Sequence, residues 1–401
     1  ALEMALARIR QLSAHEVGHT IGLAHNFAAS SKGRSSVMDY PHPTLSIKDG
    51  QVDFTDAYDT KIGDWDKVSI AYSYGEYLED EDVSLSKLLD DAFKKGARFI
   101  TDQDARPLGS AHAYAHLWDN GSDVTTELEN LLSIRRNSIA NFSKDNIKSN
   151  QPYSVLEDVF VPLYFLHRYQ TEGVTKVIGG LDYTYALKDD GNTIVKRIPG
   201  KIERKALSSI IKTLSIEELA IPKKLLNLFP PRAFNYGRTR ESFKSKTGVA
   251  FDPFGAVETA SSMTLGLLLH PERVTRLVQH KSIDNSQLGL VEVLDDVIAN
   301  SFQKSYKDTY FQELQNIVNY QVLNHLFYLS SNKDMYWQVN AIVNDKIDKI
   351  NSLLYNSKTS VIQKIYQKDM IKMISNFKKN PTKFKKPITP KIPDGSPIGS
   401  D

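Results

Sequence analysis

The stretch His15-Glu16-Val17-Gly18-His19-Thr20-Ile21-Gly22-Leu23-Ala24-His25 constrains this chain more than any other. It reads H-E-x-x-H-x-x-G-x-x-H. On a helix, His15 and His19 share one face, one turn apart, and two imidazoles so placed can grip one metal ion. Glu16 stands beside the first and can reach a water on that metal. Gly22 lets the chain leave the helix through a conformation that a Cβ resists, and the turn returns His25 as a third ligand. Three protein ligands with one open position are the arrangement of a single catalytic Zn2+, whereas a structural zinc is fully closed by protein. A bare H-E-x-x-H arises by chance and fits two structural histidines. The third histidine and the glycine, both at the required spacing, argue against that here.

A second element follows at Ser36-Val37-Met38-Asp39-Tyr40-Pro41. Together the two are similar to the metzincin signature of zinc metallopeptidases. More narrowly, His25-Asn26-Phe27, Ser36 to Pro41 and Trp118-Asp119-Asn120-Gly121-Ser122-Asp123 resemble a large, mostly bacterial family of zinc-dependent metalloproteases whose C-terminal part is called the Met-zincin domain. Leu166-His167-Arg168-Tyr169-Gln170, Ile178 to Tyr183 and Tyr236 to Arg240 add to that resemblance, which spans roughly residues 1 to 330. It implies that Met38 lies in a tight turn beneath the zinc. It also implies that Tyr40 is an extra ligand or an oxyanion support, the plain alternative being a tyrosine packed under the site. In metzincins a twisted sheet precedes the zinc helix and its edge strand pairs with substrate. Here the first residues, from Ala1, already read as the amphipathic lead into His15. The expectation is therefore the C-terminal half of a metzincin-like domain, belonging to a longer polypeptide whose upstream part completes the cleft and carries any export signal.

Bulk properties narrow the class. The 401 residues suffice for two or three domains or one large one. A formal charge of +2 gives no strong attraction to nucleic acid. There are no cysteines, which rules out disulfides and thiolate zinc sites and suits an extracytoplasmic bacterial protein, periplasmic, outer-membrane-anchored or secreted. No apolar run is long enough to predict a transmembrane helix.

The expected fold is mainly α, α+β overall. The zinc helix runs from 2 to about 24, with Leu6, Ile9, Leu12, Val17, Ile21 and Leu23 suggesting a largely buried helix. The Met38 turn follows a polar loop, and residues 1–80 form the metzincin-like part. A helical region from 81 to 377 comes next, with a β-hairpin near 183–198. Within it, 99–105 reads as a strand or turn edge and 123–147 as a helix capped by Asp123. A further helix is expected over 153–171. Residues 378–401, rich in lysine and proline, read as a disordered tail. His112 and His116 have ligand spacing but no third ligand, so a solvated or structural role is expected. Asp119, Asn120 and Asp123 lack the calcium-loop pattern, and turn and capping roles explain them better. Tyrosines 72 to 77 suggest a specificity pocket or simple packing. Arg232, Arg238 and Arg240 suggest ion pairs rather than substrate binding.

The chemistry these residues imply is peptide-bond hydrolysis by a zinc-activated water. Glu16 is the general base, His15, His19 and His25 the ligands, and Tyr40 the oxyanion support. Gly22, Asn26 and Met38 are structural neighbours of the site. The partner is a peptide or protein substrate. The same residues would serve a zinc hydrolase of a non-peptide amide or ester, and without its upstream subdomain the chain would be a non-catalytic binding module.

Overall fold

Gly22 adopts φ +85°, and it ends the first helix by a Schellman closure. Gly22 N–H donates to the His19 carbonyl at 3.0 Å and Leu23 N–H to the Gly18 carbonyl at 3.0 Å. The protein is described by a computed structural model covering residues 2–356, 359–385 and 391–393. The elements are α1 (Leu2–Thr20), the hairpin β1 (Ser46–Lys48) and β2 (Gln51–Asp53), α2 (Asp64–Tyr74), α3 (Glu81–Lys94), α4 (Asp102–Ala105), α5 (Val124–Ala140), α6 (Leu156–Tyr164) and α7 (Arg168–Val177). A second hairpin, β3 (Leu181–Tyr183) and β4 (Val195–Arg197), precedes α8 (Gly200–Lys212), α9 (Ile216–Leu219), α10 (Lys223–Leu226), α11 (Pro253–Leu268) and α12 (Pro271–Ile283). The chain closes with α13 (Leu290–Ala299), α14 (Thr309–Ser331), α15 (Trp337–Asn356) and α16 (Val361–Lys379). Both strand pairs are antiparallel. The mainly helical fold with a small hairpin in the expected place is what the residue pattern predicts.

Among the described residues the chain forms two compact units: Ala1–Ser138 with Leu166–Ile198, and Ile139–Phe165 with Pro199–Gly395. The first has a small core of Phe27, Ala28, Tyr40, Ile100, Ala105, Ala115 and Leu117. The second is a helical assembly in which α11 packs on α14, and α15 on α13, α14 and α16. Leu314, Val318, Val322 and Leu326 fall on one face of α14 and are fully buried. Phe384 packs edge-on against Phe327 and Phe377, so the start of the lysine-rich segment lies on the helices. Residues 386–390 and 394–401 of the expected tail lie outside the described residues.

Several local expectations need correction. α1 buries only Gln11, His15 and Gly18, while Ile9 and Val17 are each 58% exposed. Its apolar residues are interrupted by Glu3, Arg8, Arg10 and Glu16, so a single narrow stripe faces inward. Residues 102–105 form a helical turn, not a strand edge, because Thr101 takes the extended N-cap conformation and acids fill the first turn. The helix expected over 153–171 is two: α6 ends at Tyr164 and α7 starts after His167. Arg232 pairs with Asp158 at 2.7 Å and Glu157 at 3.3 Å, Arg238 with Glu157 at 3.5 Å and Arg240 with Glu241 at 3.1 Å, as their ion-pair reading predicts.

Candidate metal centre

The stripe of α1 that faces inward delivers His15, and the Gly22 turn folds His25 back beside it. Nε2 of His19 lies 3.0 Å from Nε2 of His15 and 3.2 Å from Nε2 of His25. One nitrogen from each of the three rings falls within 4.8 Å of the others. His15 is buried, His25 half-buried and His19 exposed, so the cluster opens on the His19 side; Glu16 is also exposed, and its charge acts on His15 and Tyr40.

The other ring nitrogens decide the protonation pattern. Nδ1 of His15 donates to the Val37 carbonyl at 2.7 Å, that of His19 to the Leu23 carbonyl at 3.0 Å, and that of His25 to Asp102 Oδ2 at 2.9 Å. These oxygens only accept, so each Nδ1 carries the proton and each Nε2 presents a lone pair. Three lone pairs facing one another repel unless a cation lies between them. Tetrahedral zinc with bonds of about 2.0–2.1 Å spaces its ligands by roughly 3.3 Å, which matches the observed separations. The donor set therefore fits a zinc ion. Burial lowers the pKa of His15 and of His25, favouring the neutral imidazole that ligation requires.

Each ligand is fixed by a distant segment. Asp102, on α4, holds His25 through Oδ2 and accepts Arg106 Nε at 2.5 Å through Oδ1. Burial alone would raise the Asp102 pKa, but Arg106 and His25 outweigh it and bring it to about 2, so the group is ionised. The β3–β4 hairpin steadies α4: the Tyr183 and Tyr185 hydroxyls both donate to Asp104, and Leu181 N–H donates to the Ala111 carbonyl at 2.8 Å. Asn26, directly after His25, ties its loop down three ways. Its Oδ1 accepts from Ala28 and Ile100 N–H, each at 3.2 Å, and its Nδ2 donates to the Arg98 carbonyl at 2.8 Å.

The turn at Met38 lies under α1. A Cβ on Gly18 would come within 2.3 Å of Met38 Sδ, so the glycine is what lets the thioether approach between the two helical histidines. Asp66 on α2 pins this turn, accepting from Ser36 Oγ at 2.6 Å, Val37 N–H at 2.8 Å and Gly63 N–H at 2.6 Å. The Val37 carbonyl is thereby presented to His15. Tyr40 is buried, stacks on His15 at 5.0 Å and tilts against His25 at 4.9 Å. The Arg106 guanidinium lies 5.8 Å from its ring centre and hydrogen-bonds its side chain. Burial nevertheless raises the Tyr40 pKa, so the phenol is neutral near pH 7.

Asp66, Asp102 and Arg106 escape a reading of the sequence because each is a common residue type, distant along the chain and outside any motif. His112 and His116 lie away from the triad. They are buried, not solvated: His112 Nε2 donates to the Tyr183 carbonyl at 2.9 Å, and His116 lies 3.9 Å from Glu172. Asp123 caps α5 through Thr125 and Thr126 N–H. A cavity of about 600 Å3 flanks the Gly22–Ala24 turn. Trp65, Tyr72, Leu89, Phe93 and Phe99 line it, with Asp90, Asp189 and Asp190 also on its wall.

A helix-borne histidine pair, a glycine-turned third histidine and a methionine turn beneath them are the parts of a metzincin-type centre. The chain matches the Met-zincin family model over residues 1–309 and belongs to that family, a metzincin-like group of zinc peptidases whose membership implies a zinc cofactor. No curated protein and no solved structure matches it. No helix among the described residues is long and apolar enough to cross a membrane.

Proposed function

We propose that this chain is a zinc-dependent endopeptidase whose ion is held by His15, His19 and His25. The observation that carries the reading is the convergence of three Nε2 lone pairs, each with its Nδ1 proton already committed to an oxygen. A bound zinc supplies Lewis acidity, lowering the pKa of a water towards about 7 and polarising the scissile carbonyl. Glu16 takes the proton from the attacking water on its carboxylate and passes it to the leaving amine. Its exposure, and its charge acting on His15 and Tyr40, support that role. The Tyr40 phenol, neutral and held by Arg106, donates a hydrogen bond to the carbonyl oxygen as charge develops there. Asn26 and Met38 hold the loop and floor in place.

The aromatic cavity beside Gly22 supports a preference for a large apolar side chain next to the scissile bond. The exposed Ile9 and Val17 on the outer face of α1 support an upstream subdomain of the same polypeptide covering that face. The cysteine-free composition supports an extracytoplasmic setting.

The test is peptide hydrolysis by the natural polypeptide, with zinc measured by elemental analysis. Glu16→Ala should lower kcat by about 10²–10⁴-fold with one zinc retained, while His19→Ala should lose both zinc and activity. Undiminished turnover in Glu16→Ala would remove Glu16 from the chemistry.

A further inference from the structure

Two family-like segments, Trp118 to Asp123 and Leu166 to Gln170, have no part in the hydrolysis described so far. The fold brings both to Tyr40. Trp118 N–H donates to the Tyr40 carbonyl at 2.8 Å, and the two rings lie nearly parallel, 15° apart in plane with centroids 6.2 Å apart. The Asn120 amide donates to the His42 carbonyl at 2.9 Å and the Pro43 carbonyl at 3.3 Å. The backbone that carries Tyr40 is thus gripped by a segment 78 positions further along the chain. That segment is itself held by α7. Tyr169 packs on Trp118 with ring centroids 4.7 Å apart. Gln170 Oε1 accepts from Asn120 N–H at 3.0 Å, and its Nε2 donates to the Asn120 carbonyl at 3.1 Å.

Trp118 keeps this place against local preference. Its φ is +60°, in the left-handed region where a bulky side chain is an outlier. Such strain persists only where the surroundings over-determine it, and it clusters at functional sites. A glycine would adopt this backbone freely and donate the same N–H, so the turn alone does not call for an indole. The ring contacts with Tyr40 and Tyr169 do. Tyr40 is also held at its tip, where Arg106 hydrogen-bonds its side chain. A guanidinium only donates, so the phenol oxygen accepts and its hydrogen is left for another acceptor.

We propose that Trp118 is a positioning residue for the Tyr40 phenol: its indole, backed by Tyr169, fixes the plane of the ring so that the hydroxyl meets the developing oxyanion. This rests on the endopeptidase reading above. Conjugation keeps a phenolic hydrogen in the plane of its ring, so the plane sets the direction of donation, and a hydrogen bond weakens steeply off that line. Arg106 fixes where the oxygen lies, and Trp118 fixes where the hydrogen points. A donor aimed in advance at the place where charge develops lowers the barrier without reorganising during the reaction.

The experiment compares zinc-loaded variants of the natural polypeptide by peptide turnover and by calorimetric binding of a phosphinic peptide, whose tetrahedral oxygens stand in for the oxyanion. Tyr40→Phe should lower kcat by about 10²-fold. Trp118→Gly should lower kcat by about tenfold with KM within about twofold, zinc stoichiometry unchanged and phosphinate affinity reduced in parallel. Trp118→Phe, which keeps a ring, should recover most of that loss. In a Tyr40→Phe background Trp118→Gly should cause no further loss, because the hydroxyl it acts through is already gone. Should Trp118→Gly fail to fold, Tyr169→Leu should give a smaller loss that likewise disappears without the Tyr40 hydroxyl. Equal losses with and without that hydroxyl, or a loss confined to KM, would overturn the proposal and leave Tyr40 as the oxyanion support. A Tyr40→Phe protein with undiminished kcat and phosphinate affinity would instead remove Tyr40 from the chemistry, and Trp118 with it.

Discussion

In the histidine-bearing unit, side chains of Asn26, Asp66 and Asp102 reach across 72, 29 and 77 positions of sequence to bond backbone or ring groups. In the helical unit, α11, α14 and α15 meet mainly through apolar side chains that are fully buried, such as Leu265, Val318, Leu326 and Val343. The first unit contains long stretches without regular structure between Gly22 and Leu45 and between Pro107 and Asp123. There, single directional bonds do what helix packing does in the second. Area burial tolerates small displacements, whereas a hydrogen bond to one atom does not. Polar cross-links therefore suit a place where three nitrogens must meet within tenths of an ångström, and apolar packing suits a scaffold.

That contrast can be broken by substitution. The largest effect on stability should come from Leu326→Ala in α14, about 2–5 kcal/mol by chemical denaturation, with zinc content of the folded protein unchanged. Loss of zinc there would show that the helical unit also shapes the site. Asp66→Asn should cost about 1–3 kcal/mol, because one of the Val37 and Gly63 N–H groups or the Ser36 hydroxyl loses its acceptor. Unlike Leu326→Ala it should also weaken zinc. Asp102→Asn should lower zinc affinity by about 10–100-fold in a chelator competition with a smaller change in Tm; an unchanged affinity would mean that His25 is oriented by its loop alone. The smallest effect belongs to Lys349→Ala, which removes a solvent-screened pair with Asp295 that Lys346 also serves. It should shift stability by less than about 0.5 kcal/mol, and a larger loss would show that charge contributes to the helical unit as it does to the other.

The legible part of this protein was the part whose chemistry is local. His15, His19, Gly22 and His25 fall within one helix and its closing turn, so their spacing alone states their geometry. Helix periodicity likewise revealed most of the second unit. The reading failed where a residue's setting depends on distant chain. Ile9 and Val17 looked like core and are exposed, because periodicity marks an apolar face without saying what covers it. His112 and His116 stood open between a solvated and a structural role, and the fold buries both, since flanking Pro107 and Gly109 signal a loop but not its depth. Asp102 gave no signal at all, for one aspartate among many has no pattern until the fold sets it beside His25.

The bond between His25 and Asp102 has a consequence for the protein while it is being made. The ribosome releases the histidines well before Asp102, 77 positions later, and the turn presenting Val37 to His15 depends on Asp66, which also emerges afterwards. A nascent chain thus displays its metal motif for many seconds without the partners that orient it. The final geometry of the three histidines is therefore deferred until the segment carrying α4 has folded back, so a metal that meets the growing chain finds the motif before the groups that orient it.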